Sequence, residues 1–165
     1  ARPLRTPPVA RRPAANSRPA DTPGPHEQHA RVLNSRQVAV TQPTHTKDPN
    51  FEVEQNNLRA VTAWADKVED PIDVIALPSP GVVEFSGIRL PASYCNFYLA
   101  NELVLVPAFG VPQDEVAKGL LKDLFPKRQV HSLPSRNLLW GLGSFHCLTQ
   151  QQPAVDTIRK TDGAK

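Results

Sequence analysis

The apolar positions along the chain change period, and they do so twice in the same order. Residues 36–41, Arg-Gln-Val-Ala-Val-Thr, carry a β-branched strand signature that runs out in a proline-bounded turn region at 43–49. Over 51–67 the apolar residues Leu58, Val61, Trp64 and Ala65 recur at helical spacing. Asp48 or Asn50 is placed to cap this helix, and Glu52 and Glu54 lie in its first turn, where the aligned peptide dipoles favour negative charge. Residues 73–77 then read as a buried strand closed by Pro78-Ser79-Pro80-Gly81, and 82–85 add a short extended piece.

The second block follows the same plan. Residues 93–99 and 103–107 predict two strands joined by a tight hairpin at Ala100-Asn101-Glu102. A helix follows over 113–125, with Val116, Leu120, Leu121 and Leu124 on one face, Asp114 and Glu115 at its positive end, and Pro126 as its stop. Residues 128–133 return as a strand whose ending, Leu133-Pro134-Ser135, echoes Leu77-Pro78-Ser79. Strand, helix, strand and Leu-Pro-Ser thus occur twice, which implies two copies of one αβ module. Each copy buries a helix on a small sheet and leaves a flank open, so two alone make a marginal structure and further copies are expected.

One stretch stands outside the repeat. Leu138-Leu139-Trp140-Gly141-Leu142-Gly143-Ser144-Phe145-His146-Cys147 passes from bulky apolar residues through two glycines to a thiol at what reads as a strand edge. Glycine lets backbone approach a ligand closely, and Gln150, Gln151 and Gln152 follow where a buried strand would carry apolar residues. The stretch suits a nucleophile; a buried structural cysteine is the alternative. On a strand, His146 and Cys147 would point to opposite faces, which makes His146 a packing residue rather than a proton donor to its neighbour. Cys95, inside the predicted strand 93–99, reads as core.

Composition changes the picture mainly at the ends. Residues 1–28 hold seven prolines and five arginines, no aromatic residue and no acid before Asp21. Such a segment cannot bury enough apolar surface to offset the entropy of ordering it, so 1–29 is expected to be disordered. The basic excess behind the net charge of +3 is concentrated there. Without aromatic interleaving or a nucleic-acid motif it reads as a solvated tail with no nucleic-acid partner. A basic RNA-binding tail on a degenerate domain is the competing idea, and it requires a salt-sensitive affinity. No run approaches the roughly 18 apolar residues of a membrane span and no signal-peptide core appears, so a soluble, cytoplasmic protein with no membrane partner is expected. Cys95 and Cys147 lack CxxC spacing, which argues against a zinc site or a redox pair and for a reducing compartment. The sequence has no methionine, in keeping with a fragment.

Four motifs carry a resemblance. Ala92-Ser93-Tyr94-Cys95-Asn96-Phe97-Tyr98, Pro107-Ala108-Phe109, Leu124-Phe125-Pro126-Lys127-Arg128 and His146-Cys147-Leu148-Thr149-Gln150-Gln151-Gln152-Pro153 together resemble the C-terminal part of the agmatine deiminase family, whose relatives include bacterial-type peptidylarginine deiminases. The resemblance covers residues 30–154. It implies an α/β fold of pentein type (an α/β propeller), with five ββαβ-type modules around a pseudo-fivefold axis. This chain would hold about the last two of them in residues 30–157, between a disordered Pro/Arg-rich segment at 1–29 and a charged tail at 158–165.

The resemblance also implies a reaction: hydrolysis of a guanidinium group, agmatine giving N-carbamoylputrescine and ammonia, with no metal and no organic cofactor. Peptidyl arginine is the alternative substrate, since the reacting group is the same. By the resemblance Cys147 is the nucleophile, working through a covalent amidino-cysteine, and Gly141, Gly143, Ser144 and Asn96 belong to the substrate-binding or active-site loop. Asn96 either hydrogen-bonds that loop or serves as an interior amide. A guanidinium is delocalised and holds its proton to above about pH 12, so carboxylates must grip it and a histidine must pass protons to the departing nitrogen. The attacking sulfur needs a cation or oriented N–H donors beside it.

The chain departs from the family pattern in three places. Gly141-Leu142-Gly143-Ser144-Phe145 stands where Gly-Gly-Gly-Asn-Ile is usual. Aligned on Ala30-Arg31, Pro25 takes the place of the family's catalytic histidine and Glu27 that of its acid, which leaves His26 or His29 to substitute. The modules that carry the family's substrate-binding tryptophan and carboxylates have no counterpart in the sequence. Little or no activity is therefore expected of the isolated chain. The competing reading is non-enzymatic: a truncated gene product, or a partial module that associates through unpaired strand edges with a second copy or with a missing N-terminal portion.

Overall fold

In the computed structural model, which describes residues 29–150, the chain begins with a hairpin, β1 (Ala30–Asn34) antiparallel to β2 (Gln37–Gln42). The expectations made for 1–28, for the tail at 158–165 and for Gln151, Gln152 and Pro153 lie outside those residues. The Asn34 side chain accepts the Arg36 N–H at 2.8 Å and closes the hairpin with a local turn. β2 splits its side chains between two faces. Val38 and Val40 pack with Ala30 and with Val61 of α1 (Phe51–Ala65), whereas Ala39 joins a larger apolar cluster. The chain then returns as β3 (Asp73–Pro78), parallel to β2, with Gln37 beside Asp73 and Gln42 beside Pro78.

A small hairpin follows, β4 (Glu84–Phe85) and β5 (Ile88–Arg89), turned by Ser86 and Gly87 at φ 50° and 74°. Positive φ at both central residues matches the twist of a two-stranded ribbon, and glycine meets that demand without a steric penalty. Asp48 holds the hairpin from one side through two hydrogen bonds from Arg89, at 2.6 and 3.0 Å. Arg136 holds it from the other by donating to the Glu84 carbonyl at 3.0 Å, and Phe85 meets Trp140 edge to face with ring centroids 5.0 Å apart.

The ββαβ order then recurs. β6 (Tyr98–Leu99) pairs antiparallel with β7 (Leu103–Ala108), α2 (Gln113–Leu124) makes the crossover, and β8 (Gln129–Pro134) lies parallel to β7. The sheets β1-β2-β3 and β6-β7-β8 are each antiparallel, then parallel. Even their exits match: the Ser79 N–H donates to the Gln42 carbonyl at 2.7 Å, and the Ser135 N–H to the Ala108 carbonyl at 2.8 Å. The repeated Leu-Pro-Ser thus marks equivalent ends of equivalent strands. Both copies contribute to the larger cluster, Ala39 and Leu77 from the first and Val104, Val106 and Leu121 from the second. No described helix is long and apolar enough to cross a membrane.

Local chemistry overrides the sequence pattern in four places. Residues 93–99 are not one strand: the Ser93 hydroxyl accepts the Cys95 N–H at 3.1 Å and bends the chain into a 3-10 turn at Tyr94–Asn96 before the two-residue β6. α2 buries Asp114, Ala117 and Leu121, while Val116 is 55% and Leu120 38% exposed. The small Ala117 and the bonded carboxylate of Asp114, rather than the bulkiest side chains, set which line of the helix meets the sheet. Neither Asp48 nor Asn50 caps α1 with its side chain; Asp48 instead accepts the Asn50 N–H at 2.8 Å. Finally, Arg136–Gly141 forms a 3-10 helix and Cys147 lies in a turn, not at a strand edge.

Candidate active site

The segment that leaves β8 is steered toward the β4–β5 hairpin by Arg136, and its 3-10 helix ends at Leu142, whose φ of 64° is left-handed. A non-glycine residue there costs about 1–2 kcal/mol, so the next residues enter their turn under strain. Gly143 follows. A Cβ at this position would stand 2.5 Å from the Cys147 Cβ and 2.7 Å from its sulfur, so the thiol lies directly across bare backbone. The Leu148 N–H closes the turn on the Ser144 carbonyl at 3.1 Å, and the Thr149 hydroxyl donates to the Phe145 carbonyl at 2.8 Å. Cys147 itself is exposed.

Asn96 holds this turn from the 3-10 segment opposite. Its side-chain oxygen accepts the main-chain N–H of His146 at 2.9 Å and of Cys147 at 3.2 Å, which leaves its Nδ2 to donate to the Cys147 Sγ at 2.9 Å. Its backbone carbonyl lies within 3.2 Å of the His146 N–H as well. The amide is buried and so reaches from the interior to an exposed thiol. His146 and Cys147 lie in a turn rather than a strand, and their N–H groups converge on one oxygen. The donor on the sulfur is thus an amide that two backbone N–H groups of the same turn hold in place.

Two further groups lie close by. Cys95 is fully buried in the core, and burial pushes its thiol up to about 11, with the Thr41 and Ser93 hydroxyls pulling the other way. Arg31 of β1 is buried too. Its Nη1 donates to the Phe97 carbonyl, and its guanidinium lies over the Phe97 ring, 4.1 Å from the centroid. Burial lowers its proton affinity from the usual arginine value, while the Cys95 and Cys147 sulfurs act in the opposite direction. The sequence uses Arg31 only as half of the Ala30-Arg31 pair on which the family's upstream motif is aligned and gives it no role of its own; the remaining signal is a lone cation inside the run Ala30-Arg31-Val32-Leu33.

Of the loop residues named from sequence, Asn96 and Gly143 come together with Cys147. Ser144 is buried beside them, with its hydroxyl lacking a hydrogen-bond partner among the described residues. A Cβ at Gly141 would meet nothing within 4 Å, so close approach does not explain that glycine. His29 stands just before β1, its carbonyl accepting the Thr41 N–H at 2.8 Å; Pro25, His26 and Glu27 lie outside the described residues. Among the described residues, no three His, Cys, Asp or Glu side chains gather as metal ligands would. What the arrangement can do is present one accessible sulfur with a hydrogen-bond donor fixed on it.

Comparisons with known proteins bear on the same stretch. A family model described as Porphyromonas-type peptidyl-arginine deiminase matches residues 16–153. The chain is 36% identical over 130 residues to an agmatine deiminase of Pseudomonas fluorescens, 68% of this chain and 35% of that protein. A protein of Marinomonas sp. is 31% identical over 145 residues, 78% of this chain and 39% of its own length. The solved structure of C. jejuni agmatine deiminase superposes with a TM-score of 0.70 at 23% identity, covering 78% of this chain and 37% of that one, which is a likeness of fold. The chain thus spans about two-fifths of the length of the relatives it matches.

Proposed function

The chain belongs to the Porphyromonas-type peptidyl-arginine deiminase family, and we propose that within it Cys147 is the nucleophile of a guanidinium-hydrolysing site. The observation that carries this reading is the Asn96 amide, which fixes the backbone of the Cys147 turn with its oxygen and addresses the sulfur with its nitrogen. An interior amide serving packing alone has no need to point a donor at an exposed thiol. The recurrence of the ββαβ unit, with the same pairing in both copies, supports reading residues 30–157 as the last two of five modules of a pentein domain.

In this reading the Cys147 sulfur adds to the guanidinium carbon. The bond to one terminal nitrogen then breaks as that nitrogen takes a proton and departs as ammonia, leaving an amidino-cysteine. Water adds to the same carbon, the carbon–sulfur bond breaks, and a ureido product and the thiolate are released. Asn96 holds the sulfur through both steps, and Gly143 keeps the space across it free. The substrate is agmatine, with peptidyl arginine as the second candidate. Proton transfer falls to His29 or to a histidine outside the described residues.

Three of the buried carboxylates are already engaged: Asp48 with Arg89, Glu54 with Ser79 and Asp114 with Tyr94. None of the three makes a contact with Cys147 or with Asn96, so the isolated chain should turn over slowly or not at all. Exposed Trp140, Leu142 and Leu148 flank the same turn in sequence and support association with a complementary portion of a deiminase. The test is to incubate the chain with agmatine and with an arginyl peptide, following ureido product and the mass of the Cys147 peptide. Any product or amidino adduct should vanish in Cys147→Ala and fall at least tenfold in Asn96→Ala, about the loss of one charge-assisted contact. Ureido product that survives Cys147→Ala would remove Cys147 from the reaction.

A further inference from the structure

Arg31 is a buried cation that, among the described residues, has no carboxylate beside it. Taking an unpaired guanidinium out of water is expensive, and a fold that does so needs something for the charge to serve. Its position is well fixed. Arg31 sits in β1 opposite Ala39, donates to the Phe97 carbonyl and stacks on the Phe97 ring. Phe97 directly follows Asn96, so the side chain from the first ββαβ copy grips the segment whose amide holds the nucleophile of the second.

The guanidinium is held on Phe97, one residue from the amide that donates to the Cys147 sulfur, and the Cys95 and Cys147 sulfurs are the groups that favour its charge against burial. Cys95 is enclosed in the core, its thiol pushed up to about 11, and so stays neutral near pH 7. Cys147 is open to solvent. Arg128 provides an internal contrast. It too lies over a phenylalanine, Phe125, with its charge 5.5 Å from the centroid, and donates to a carbonyl, that of Ala100 at 3.0 Å, yet it contacts neither the Asn96 segment nor a sulfur.

We propose that Arg31 is a positioning residue of the site, fixing the Asn96–Phe97 segment by its grip on Phe97 and directing its buried positive charge at the Cys147 sulfur. This rests on Cys147 being the nucleophile, and it deepens that reading by naming the cation the sulfur requires. The Asn96 donor and the Arg31 charge then act together, one through a direct hydrogen bond and the other through the field.

The experiment alkylates the full chain with anionic iodoacetate and neutral iodoacetamide in parallel, following each rate at the Cys147 peptide by mass. A cation facing the sulfur speeds the anionic reagent selectively, so the rate ratio of the native chain should exceed that of the same chain unfolded in urea by roughly three- to tenfold at low salt, and shrink as salt is added. Arg31→Lys should keep most of that excess. Arg31→Met should abolish it, while Arg128→Met should leave it unchanged. A purely structural role for Arg31 would alter both rates together and leave their ratio standing, and that result overturns the proposal. Should Arg31→Met fail to fold, the native-to-unfolded comparison and its salt dependence decide alone: equal ratios in the two states refute the proposal. No turnover is needed, so a flat ratio leaves the deiminase reading intact, whereas ureido product that survives Cys147→Ala removes that reading independently.

Discussion

In the second ββαβ copy the helix carboxylate Asp114 accepts the backbone N–H groups of Phe109, Gly110 and Val111 at 3.0, 2.8 and 3.1 Å and the Tyr94 hydroxyl at 2.6 Å. In the first copy the helix carboxylate Glu54 has one hydrogen-bond partner among the described residues, the Ser79 hydroxyl at 3.3 Å. Burial pushes Glu54 up to about 7; Ser79 opposes this and the nearby charge of Asp48 adds to it. The connector into the helix explains the contrast. Residues 109–112 are short enough to wrap three N–H groups around the first turn of α2, whereas the longer 43–50 spends its acid, Asp48, on Arg89 and Asn50. One topology thus accommodates a fully solvated-by-protein carboxylate and a nearly bare one, and the connector decides which.

The strongest way to break this comparison is Asp114→Asn. An amide in that place turns its NH2 toward donors, and urea denaturation should show a loss of about 3 kcal/mol. A loss well under 1 kcal/mol would mean the bonded cage contributes nothing special. Glu54→Gln should act in the opposite sense and with pH. The folded value of about 7 lies above the ordinary 4.5, so the folded chain keeps a proton that the unfolded chain releases between them. The stability from that proton is full below the unfolded value and is lost as pH rises through about 7. Glu54→Gln should therefore raise stability by roughly 2 kcal/mol at pH 8 and leave it unchanged near pH 4, as read by parallel denaturation series. Finer still is the pair Tyr94→Phe and Ser79→Ala. The first removes a donor from a satisfied acid and should cost about 1 kcal/mol; the second removes the one donor to Glu54 among the described residues and should move the midpoint of its pH dependence upward more than it changes stability at pH 4.

Much of the fold is legible in the sequence because the repeat is written in local signals. Proline bounds, the spacing of Leu58, Val61 and Ala65, and the twin Leu-Pro-Ser endings set α1, β3, α2 and β8 to within a residue or two. What escapes local reading depends on long-range partners. Ser93, Tyr94, Cys95, Asn96 and Phe97 look like a strand, but the Ser93 hydroxyl claims the Cys95 N–H and the His146 N–H claims the Asn96 carbonyl, groups a strand would pair. The face predicted for α2 is half right: Leu121 and Leu124 pack on the core, but periodicity also weighs Val116 and Leu120 by bulk, whereas Ala117 and the bonded Asp114 take their place against the sheet. In the site, Cys147, Asn96 and Gly143 can be picked from their motifs. Arg31 belongs to the Ala30-Arg31 pair used for alignment, but its contact with Phe97, 66 residues further along the chain, is not legible there.

The hairpin between the two copies has a further consequence. It is fastened on one flank by the Arg89–Asp48 pair and on the other by Arg136 and the Phe85–Trp140 contact, while Ser86 and Gly87 at its tip carry the left-handed backbone of an outward loop. Polypeptide continuity there is thus redundant. A single protease nick between Ser86 and Gly87 should leave two pieces that travel together until denaturant parts them, the severed ends each still buckled to its own neighbour.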